Sequence, residues 1–406
     1  MIMRDRITGH LDRFAAISEP GAGCTRLAYT KLERDAHAVF AAHMSGLGLA
    51  VRTDEAGNTI AELPGHGRAI GTGSHLDTVP SGGGFDGIAG VAAAMEIAEV
   101  MASRDHVRPW RFVAFAAEEG ARFGQACNGS RVAAGLTRAR DLENFTDATG
   151  TTMAEAMTQA GLDPGNADRA RWNPAEWYAF VELHIEQGEV LESRGVGVGV
   201  VDLISGSTRL RVRLTGRATH SGGTPMHLRH DALVVAAECV VLGDRLAQDP
   251  AHHGTRVTVG RLGVEPGSIT TIPGAAEFFV DVRDVDTVRQ RETAEALADG
   301  FTRIAEGHGV AITVDVLADT SPVVLPAWIA DHTRAACDGL GLPYRVLPSG
   351  ASHDAQQLNR VVPAGMIFVP SRHGLSHVPD EYTTPEEIAT GTEVLLETLL
   401  RLDAAE

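Results

Sequence analysis

The sequence predicts an α/β protein whose main domain is interrupted by a smaller, ferredoxin-like α+β domain. Three observations point there. Apolar runs of strand length at 110–117 (WRFVAFAA) and 178–185 (YAFVELHI) suit strands buried on both faces, and they alternate with helical segments. Near residue 208 the texture changes, because TRLRVRLTG alternates apolar and charged residues as a half-exposed strand does. After about residue 320 the pattern of helix and buried strand resumes.

The elements follow in order. Residues 28–47 place Ala36, Val39, Phe40 and Met44 on one face of an amphipathic helix. LAVRTDE, NTIAEL and AIGTGSHLD have β character, and 88–103 is an Ala-rich helix. From 209 to 320 come TRLRVRLTG, a helix at 232–247, the strands TRVTVGRLGV and AEFFVDVRDV, a helix at 286–307 and the strand VAITVDVL. That β-α-β-β-α-β order is the split βαβ arrangement. A helix at 327–340, the strand GMIFVP and a helix from 385 return to the first pattern. The expected domains are therefore 1–208 with 321–406, and 209–320 between them.

A chain of 406 residues is long enough for two domains. Its net charge of -18 repels phosphate backbones, so nucleic acid is not an expected partner. The N-terminus, MIMRDRITGHLDRF, lacks the apolar core of a secretory signal, and no apolar stretch reaches bilayer-spanning length. Cys24, Cys127, Cys239 and Cys337 are scattered, which fits reduced thiols in a cytoplasmic protein and argues against thiolate metal ligation.

The polar residues at strand ends carry the chemistry, because open α/β sheets bind ligands there. His75 and Asp77 end one run, and their i, i+2 spacing places them on one face. Asp86 follows in a glycine-rich loop, Glu118 and Glu119 end WRFVAFAA, His184 ends YAFVELH, and His377 follows GMIFVP. Each alone reads as a cap or a solvated side chain. Together they supply the nitrogen and oxygen donors that two metal ions require, with one carboxylate bridging. Glu118, beside the ligand Glu119, is left over as a general base.

These residues stand in GSHLDTVPSGGGFDG, AAEEGARFG, ELHIEQGEVLE, HSGGTPMHLRHDA, VDVRD, PSGASHDA and GLSHVPDE. In that order over nearly the whole chain, the motifs resemble the dinuclear-metal amidases of the hydantoinase/carbamoylase branch. That branch includes allantoate amidohydrolases, N-carbamoyl-L-amino-acid hydrolases and β-ureidopropionases. The resemblance implies a metallopeptidase-like catalytic domain with an inserted lid and dimerisation domain, hence a homodimer. It implies that Asp86 bridges two divalent ions, Glu119 and His377 completing one shell and His75 and His184 the other. Zinc is the first expectation, and manganese, cobalt or nickel also suit the donors. Asp77 would orient His75. Glu118 would take the proton of the bridging water and pass it to the leaving nitrogen. His220 would stabilise the oxyanion in the other subunit's site, Arg283 would bind a substrate carboxylate, and Gln187 would contact the ureido or amide group. A bland reading of Arg283 is a cross-strand ion pair with a neighbouring acid.

The chain departs from the family at Thr270, where ITTIPG replaces the Asn of NVIPG, and at Ser352, where SGASHDA replaces SGAGHDA. HSGGTPM also replaces HAGTTPM. Thr cannot reproduce the separate donor and acceptor of an amide. The metal donors are untouched, so the expectation is an altered small-molecule substrate. The leading one is an N-carbamoyl amino acid or close analogue. The alternatives are an aminoacylase or dipeptidase acting on N-acyl amino acids or peptides, allantoate itself, and a non-catalytic metal-binding relative.

Overall fold

A computed structural model describes residues 2–405. The chain divides into two compact units, Met1–Asp202 with Val324–Glu406, and Leu203–Val323. The sequence pattern places the boundaries at 209 and 320. They fall further out because β6, a strand outside that reading, runs through the first junction.

The first unit opens with α1 (Arg4–Ala15), α2 (Lys31–Gly46), β1 (Ala50–Thr53), β2 (Thr59–Leu63), β3 (Ala69–His75), α3 (Ile88–Met101) and β4 (Trp110–Phe115). Short helices α4 (Asn128–Ala133) and α5 (Met153–Gln159) lead to β5 (Trp177–Ile185), α6 (Val190–Arg194) and β6 (Val198–Ile204). The second unit holds β7 (Gly206–Thr215), β8 (Thr219–His220), α7 (Ala232–Gln248), β9 (Arg256–Glu265), β10 (Thr271–Ile272), β11 (Ala275–Asp284), α8 (Thr287–Gly307) and β12 (Ala311–Thr320). The chain closes with β13 (Val323–Val324), α9 (Ala327–Leu340), β14 (Tyr344–Ser349), α10 (Asp354–Leu358), β15 (Ala364–Val369) and α11 (Pro385–Asp403).

The large sheet has the order β1-β2-β4-β3-β5-β15-β6-β13, with β14 paired to β6. Its centre, β4-β3-β5-β15, is parallel. Every residue of β3 and β15 is buried, as strands covered on both faces require. The parallel registers pair His75 with Phe115 and His184 with Phe368, so the carboxyl ends of these four strands open on one edge. The strand order also reverses beside β3, since β4 lies on one side of it and β5 on the other. Ala-rich α3 is buried along nearly its whole length. It starts at Gly87 (φ 69°), where a Cβ would sit 2.5 Å from the His75 ring. α11 begins with Pro385 and a Thr384–Glu387 capping box, which fixes where the last helix starts.

The second unit is an antiparallel sheet of order β12-β7-β11-β9 with α7 and α8, the strand order of a ferredoxin-like fold. Phe278 and Phe301 anchor its core. Asp231 and Asp286 cap the two helices by accepting N–H groups of their first turns.

Candidate metal centre

His75 is the last residue of β3, and its Nδ1 lies 3.1 Å from the backbone carbonyl of Asp77. His184 is the last residue but one of β5, with Nδ1 2.9 Å from the carbonyl of Ile185. A carbonyl only accepts, so each ring offers its Nδ1–H to that carbonyl and turns Nε2 inward. Those two Nε2 atoms meet Asp86 Oδ1, at 3.5 Å from His75 and 3.1 Å from His184. The other carboxylate oxygen, Oδ2, lies 3.2 Å from His377 Nε2, which is also 3.2 Å from Glu119 Oε1. Asp86 thus belongs to two donor groups, His75–Asp86–His184 and Asp86–Glu119–His377.

Two observations fit these groups to cations. Among the described residues, the buried Glu119 Oε1 and His184 Nε2 make no well-aligned hydrogen bond, although each faces the centre. The donors are also only nitrogen and carboxylate oxygen, the set suited to zinc and its neighbours. Burial opposes charge on Asp86, but the three imidazoles hold its carboxyl well below the usual range. Burial also opposes charge on His377, yet its bonds to Asp86 and Glu119 raise it to about 11.

Asp77 does not lie on the strand. β3 ends at His75, so Asp77 sits in the following loop, and same-face spacing along the strand does not apply. Its backbone carbonyl, rather than its carboxylate, takes His75 Nδ1; the carboxylate Oδ1 is 3.6 Å away. The carboxylate instead accepts the N–H of Glu118 at 2.8 Å and of Glu119 at 2.9 Å. Glu118 is buried, and its Oε2 approaches His75 Nε2 to 3.9 Å. Burial pushes its carboxyl well above the usual range, and Glu119 and Asp354 add to that effect. Cys127 Sγ donates to Glu118 Oε1 at 2.9 Å. Ala117 and Gln187, each two residues past a strand, and His377, in the loop after β15, all adopt left-handed backbone (φ 55°, 56° and 61°), a set of strained positions around the centre.

Three residues that the sequence reading left without a role also shape this centre. Glu381 accepts the N–H groups of Phe85 and Asp86, both at 3.0 Å, and the hydroxyl of Ser376 at 2.9 Å. It thereby ties the Asp86 loop to the His377 loop. A Cβ on Gly83 would lie 2.1 Å from its carboxylate, which gives the glycine run a packing reason. His353 packs its ring against His184 with centroids 4.4 Å apart. In the sequence Cys127 carries no signal beyond that of a scattered thiol. The positions of Glu381 inside GLSHVPDE and of His353 inside PSGASHDA are the available signals.

Among the residues expected on the substrate side, Gln187 donates to Asp86 Oδ2 at 2.7 Å and to Ser376 Oγ at 3.2 Å, while its buried Oε1 has no hydrogen-bond partner among the described residues. Ser352 precedes His353 in the loop between β14 and α10. His220, Thr270 and Arg283 belong to the second unit. There His220 pairs with Thr271, and the N–H of Ser221 donates to the Thr270 carbonyl at 2.9 Å. His220 Nδ1 accepts the N–H groups of Gly222 and Gly223, each at 3.1 Å, so a neutral ring carries its proton on the exposed Nε2. Arg283 Nε donates to Asp281 Oδ2 at 2.8 Å, so the neighbouring acid is engaged two residues back on its own strand.

Comparison with known proteins gives a consistent set of likenesses. A family profile described as Peptidase family M20/M25/M40 matches residues 71–401. An N-carbamoyl-L-amino-acid amidohydrolase of Paenarthrobacter aurescens is 40% identical over 408 residues, covering 98% of each chain. An allantoate amidohydrolase of Escherichia coli K12 is 34% identical over 394 residues, covering 95% of this chain and 94% of that one. The crystal structure of a hydantoinase/carbamoylase family amidase from Burkholderia vietnamiensis superposes with a TM-score of 0.91 at 33% identity, covering 100% of this chain and 98% of that one.

Proposed function

We propose, for a chain that belongs to peptidase family M20/M25/M40, that its centre takes two divalent ions and hydrolyses a linear ureido compound, an N-carbamoyl-L-amino acid before any other. The chain is a metal-dependent amidohydrolase that cuts C–N bonds. One observation supports the two-ion centre: the two oxygens of the buried carboxylate Asp86 face two separate donor groups, and Glu118 lies buried next to them; the substrate reading leans on the 40% identity to N-carbamoyl-L-amino-acid amidohydrolases.

His75 and His184 would hold one ion, Glu119 and His377 the other, with Asp86 between. Zinc suits these donors, as do manganese, cobalt and nickel. When bound, such ions polarise a carbonyl and lower the pKa of water. The residues of the chain do the rest. Glu118 takes a proton from the attacking water as the water oxygen bonds to the carbonyl carbon. It then gives that proton to the departing nitrogen as the C–N bond breaks. His220 presents an Nε2–H donor toward the developing oxyanion. Its supply from the inserted unit of a second copy is the reason to expect a homodimer. Arg283 provides a planar cation for the substrate carboxylate. Gln187, Thr270 and Ser352 shape the pocket around the ureido group. Four free, buried cysteines support a reducing, cytoplasmic setting. Among the described residues, no helix is long and apolar enough to cross a membrane.

The test is a panel of N-carbamoyl-L-amino acids, allantoate, N-formyl and N-acetyl amino acids and dipeptides, offered to metal-reconstituted protein. The expected result is the highest kcat/KM with an N-carbamoyl-L-amino acid, read as ammonia release. Preference for dipeptides or N-acetyl amino acids would move the assignment to an aminoacylase or peptidase. Preference for allantoate would favour the activity named for the Escherichia coli relative.

A further inference from the structure

Away from the centre, three helices of the first unit bring two imidazoles and a carboxylate together. His10 lies on α1, His43 on α2 and Glu99 on α3. His10 Nε2 is 3.5 Å and His43 Nε2 3.3 Å from the same oxygen, Glu99 Oε1. The two rings meet edge to face with centroids 4.8 Å apart. The three donor atoms lie within 4.8 Å of one another.

Hydrogen bonding does not account for this grouping. His10 is buried, and neither of its ring nitrogens finds a hydrogen-bond partner among the described residues; His43 Nε2 finds none either. Buried imidazole nitrogens are ordinarily satisfied. Two of them aimed at one carboxylate oxygen, with no hydrogen bond formed, leave a gap of the kind a cation fills. The other oxygen of Glu99 is held 3.0 Å from Arg6 Nε, which fixes the carboxylate so that Oε1 faces the imidazoles. The charge of Arg6 is matched by the fully buried Glu96, at 2.6 Å. The side chains of His43 and Glu99 are 13% and 20% exposed, so an ion and a completing water can enter from solvent. Along α3, which begins beside His75, Glu99 lies eleven residues after Ile88, about 16 Å down the axis. This cluster is therefore separate from the centre at Asp86.

We propose that His10, His43 and Glu99 form a site for one borderline divalent cation, Zn2+ or a neighbouring transition metal. Two imidazoles and one carboxylate are a donor set such ions accept. Bound there, the ion pins α1 and α2 to α3 and stabilises the folded unit through ligation of the native state alone.

The test counts metal. Stripped wild-type protein, dialysed to equilibrium against Zn2+, binds one equivalent more than His43→Gln and one more than Glu99→Gln, and both variants keep amide turnover. Zinc also raises the melting temperature of wild type further than that of either variant. Equal zinc content in wild type and folded variants overturns the proposal. Should the variants fail to fold, crystals of wild type soaked in ZnCl2 decide it. An anomalous peak about 2.0–2.2 Å from the two Nε2 atoms and Glu99 Oε1 supports the site. No peak there, at a zinc concentration that fills the Asp86 centre, overturns it. A filled helix site beside an empty Asp86 centre supports this proposal and sinks the catalytic reading instead.

Discussion

The carboxylate of Asp77 accepts the backbone N–H of Glu118 at 2.8 Å. Its second oxygen takes the next N–H, that of Glu119, so one buried group sets the direction of both glutamates. Asn at this position keeps one acceptor and turns an NH2 toward an N–H donor. Losing a buried, charge-assisted bond costs about 1.5–3 kcal/mol. Asp77→Asn is expected to lower kcat/KM about 10- to 100-fold and to weaken metal retention, as loss of a ligand's supporting partner does. Kinetics and metal analysis on the same preparation check this. An unchanged kcat/KM would remove Asp77 from the centre.

Glu118 is the carboxylate with no place in either donor group. Glu118→Gln keeps the shape of the side chain and removes its basicity. The expected outcome is full metal content with turnover reduced by about a thousandfold, the scale of general acid–base catalysis. Metal analysis by mass spectrometry and an ammonia-release assay measure the two quantities separately. Near-normal turnover would assign the proton transfer to another group.

The donor residues were legible because His75, Glu119 and His184 stand near the ends of apolar strands and Asp86 and His377 in the loops that follow such strands, where the parallel order β4-β3-β5-β15 gathers them. The supporting bonds were not. Asp86 and Glu381 are 295 residues apart, and nothing local marks a carboxylate that will accept another loop's N–H groups. Cys127 looked like any scattered thiol until the fold set it against Glu118. α1 carries Ile7, Leu11 and Phe14 at helical spacing and could have been read. β14 contains Pro348 and pairs only with β6, so its pattern spoke against a strand. On the substrate side, the alternation of β11 placed Arg283, but the bond it makes to Asp281 depends on which rotamer the strand face allows.

Cys127 bears on the proton-transfer step. Its thiol donates to Glu118 Oε1, which favours the ionised carboxylate against the effect of burial. Cys127→Ala removes that donor, so the Glu118 carboxyl rises further. The acid limb of the kcat–pH profile is expected to move to higher pH, while Cys127→Ser, which restores a donor, moves it back. Superimposable profiles for all three proteins would show that the thiol does not tune the base.

Metal uptake should depend on pH with a fixed sign. Without metal, His377 holds its proton up to about 11 because Asp86 and Glu119 outweigh the burial that opposes its charge. Its folded value lies above the ordinary one for histidine. The stabilisation of the metal-free protein is therefore fully present below about 6.5 and is lost as pH rises through about 11. A ligand must be neutral to bind, so loading releases this proton. Apparent affinity should rise by up to about tenfold per pH unit between pH 6 and 9. Isothermal titration in buffers of different ionisation enthalpy counts the released protons, and a count of zero would contradict the arrangement.

Glu381 offers the last test, because it touches neither donor group through a ligand atom of its own and yet holds both loops. Its Oε1 accepts Phe85 and Asp86 N–H, and its Oε2 accepts the Ser376 hydroxyl at 2.9 Å and the His377 N–H at 3.3 Å. Glu381→Ala removes the acceptor of three backbone N–H groups and leaves the Ser376 hydroxyl only Asp86 Oδ2, so the glycine-rich loop is held to the His377 loop less firmly. The ion shared by Asp86, Glu119 and His377 should then be lost more readily than the one shared by Asp86, His75 and His184, whose imidazoles are fixed by carbonyls on β5 and just past β3. The expected result is a protein that retains one equivalent of metal after dialysis, with affinity for the second lowered about 10- to 100-fold. Glu381→Gln, which keeps one acceptor oxygen, should fall between Ala and wild type. Equal loss of both ions would mean that Glu381 supports the unit as a whole rather than the His377 side of the centre.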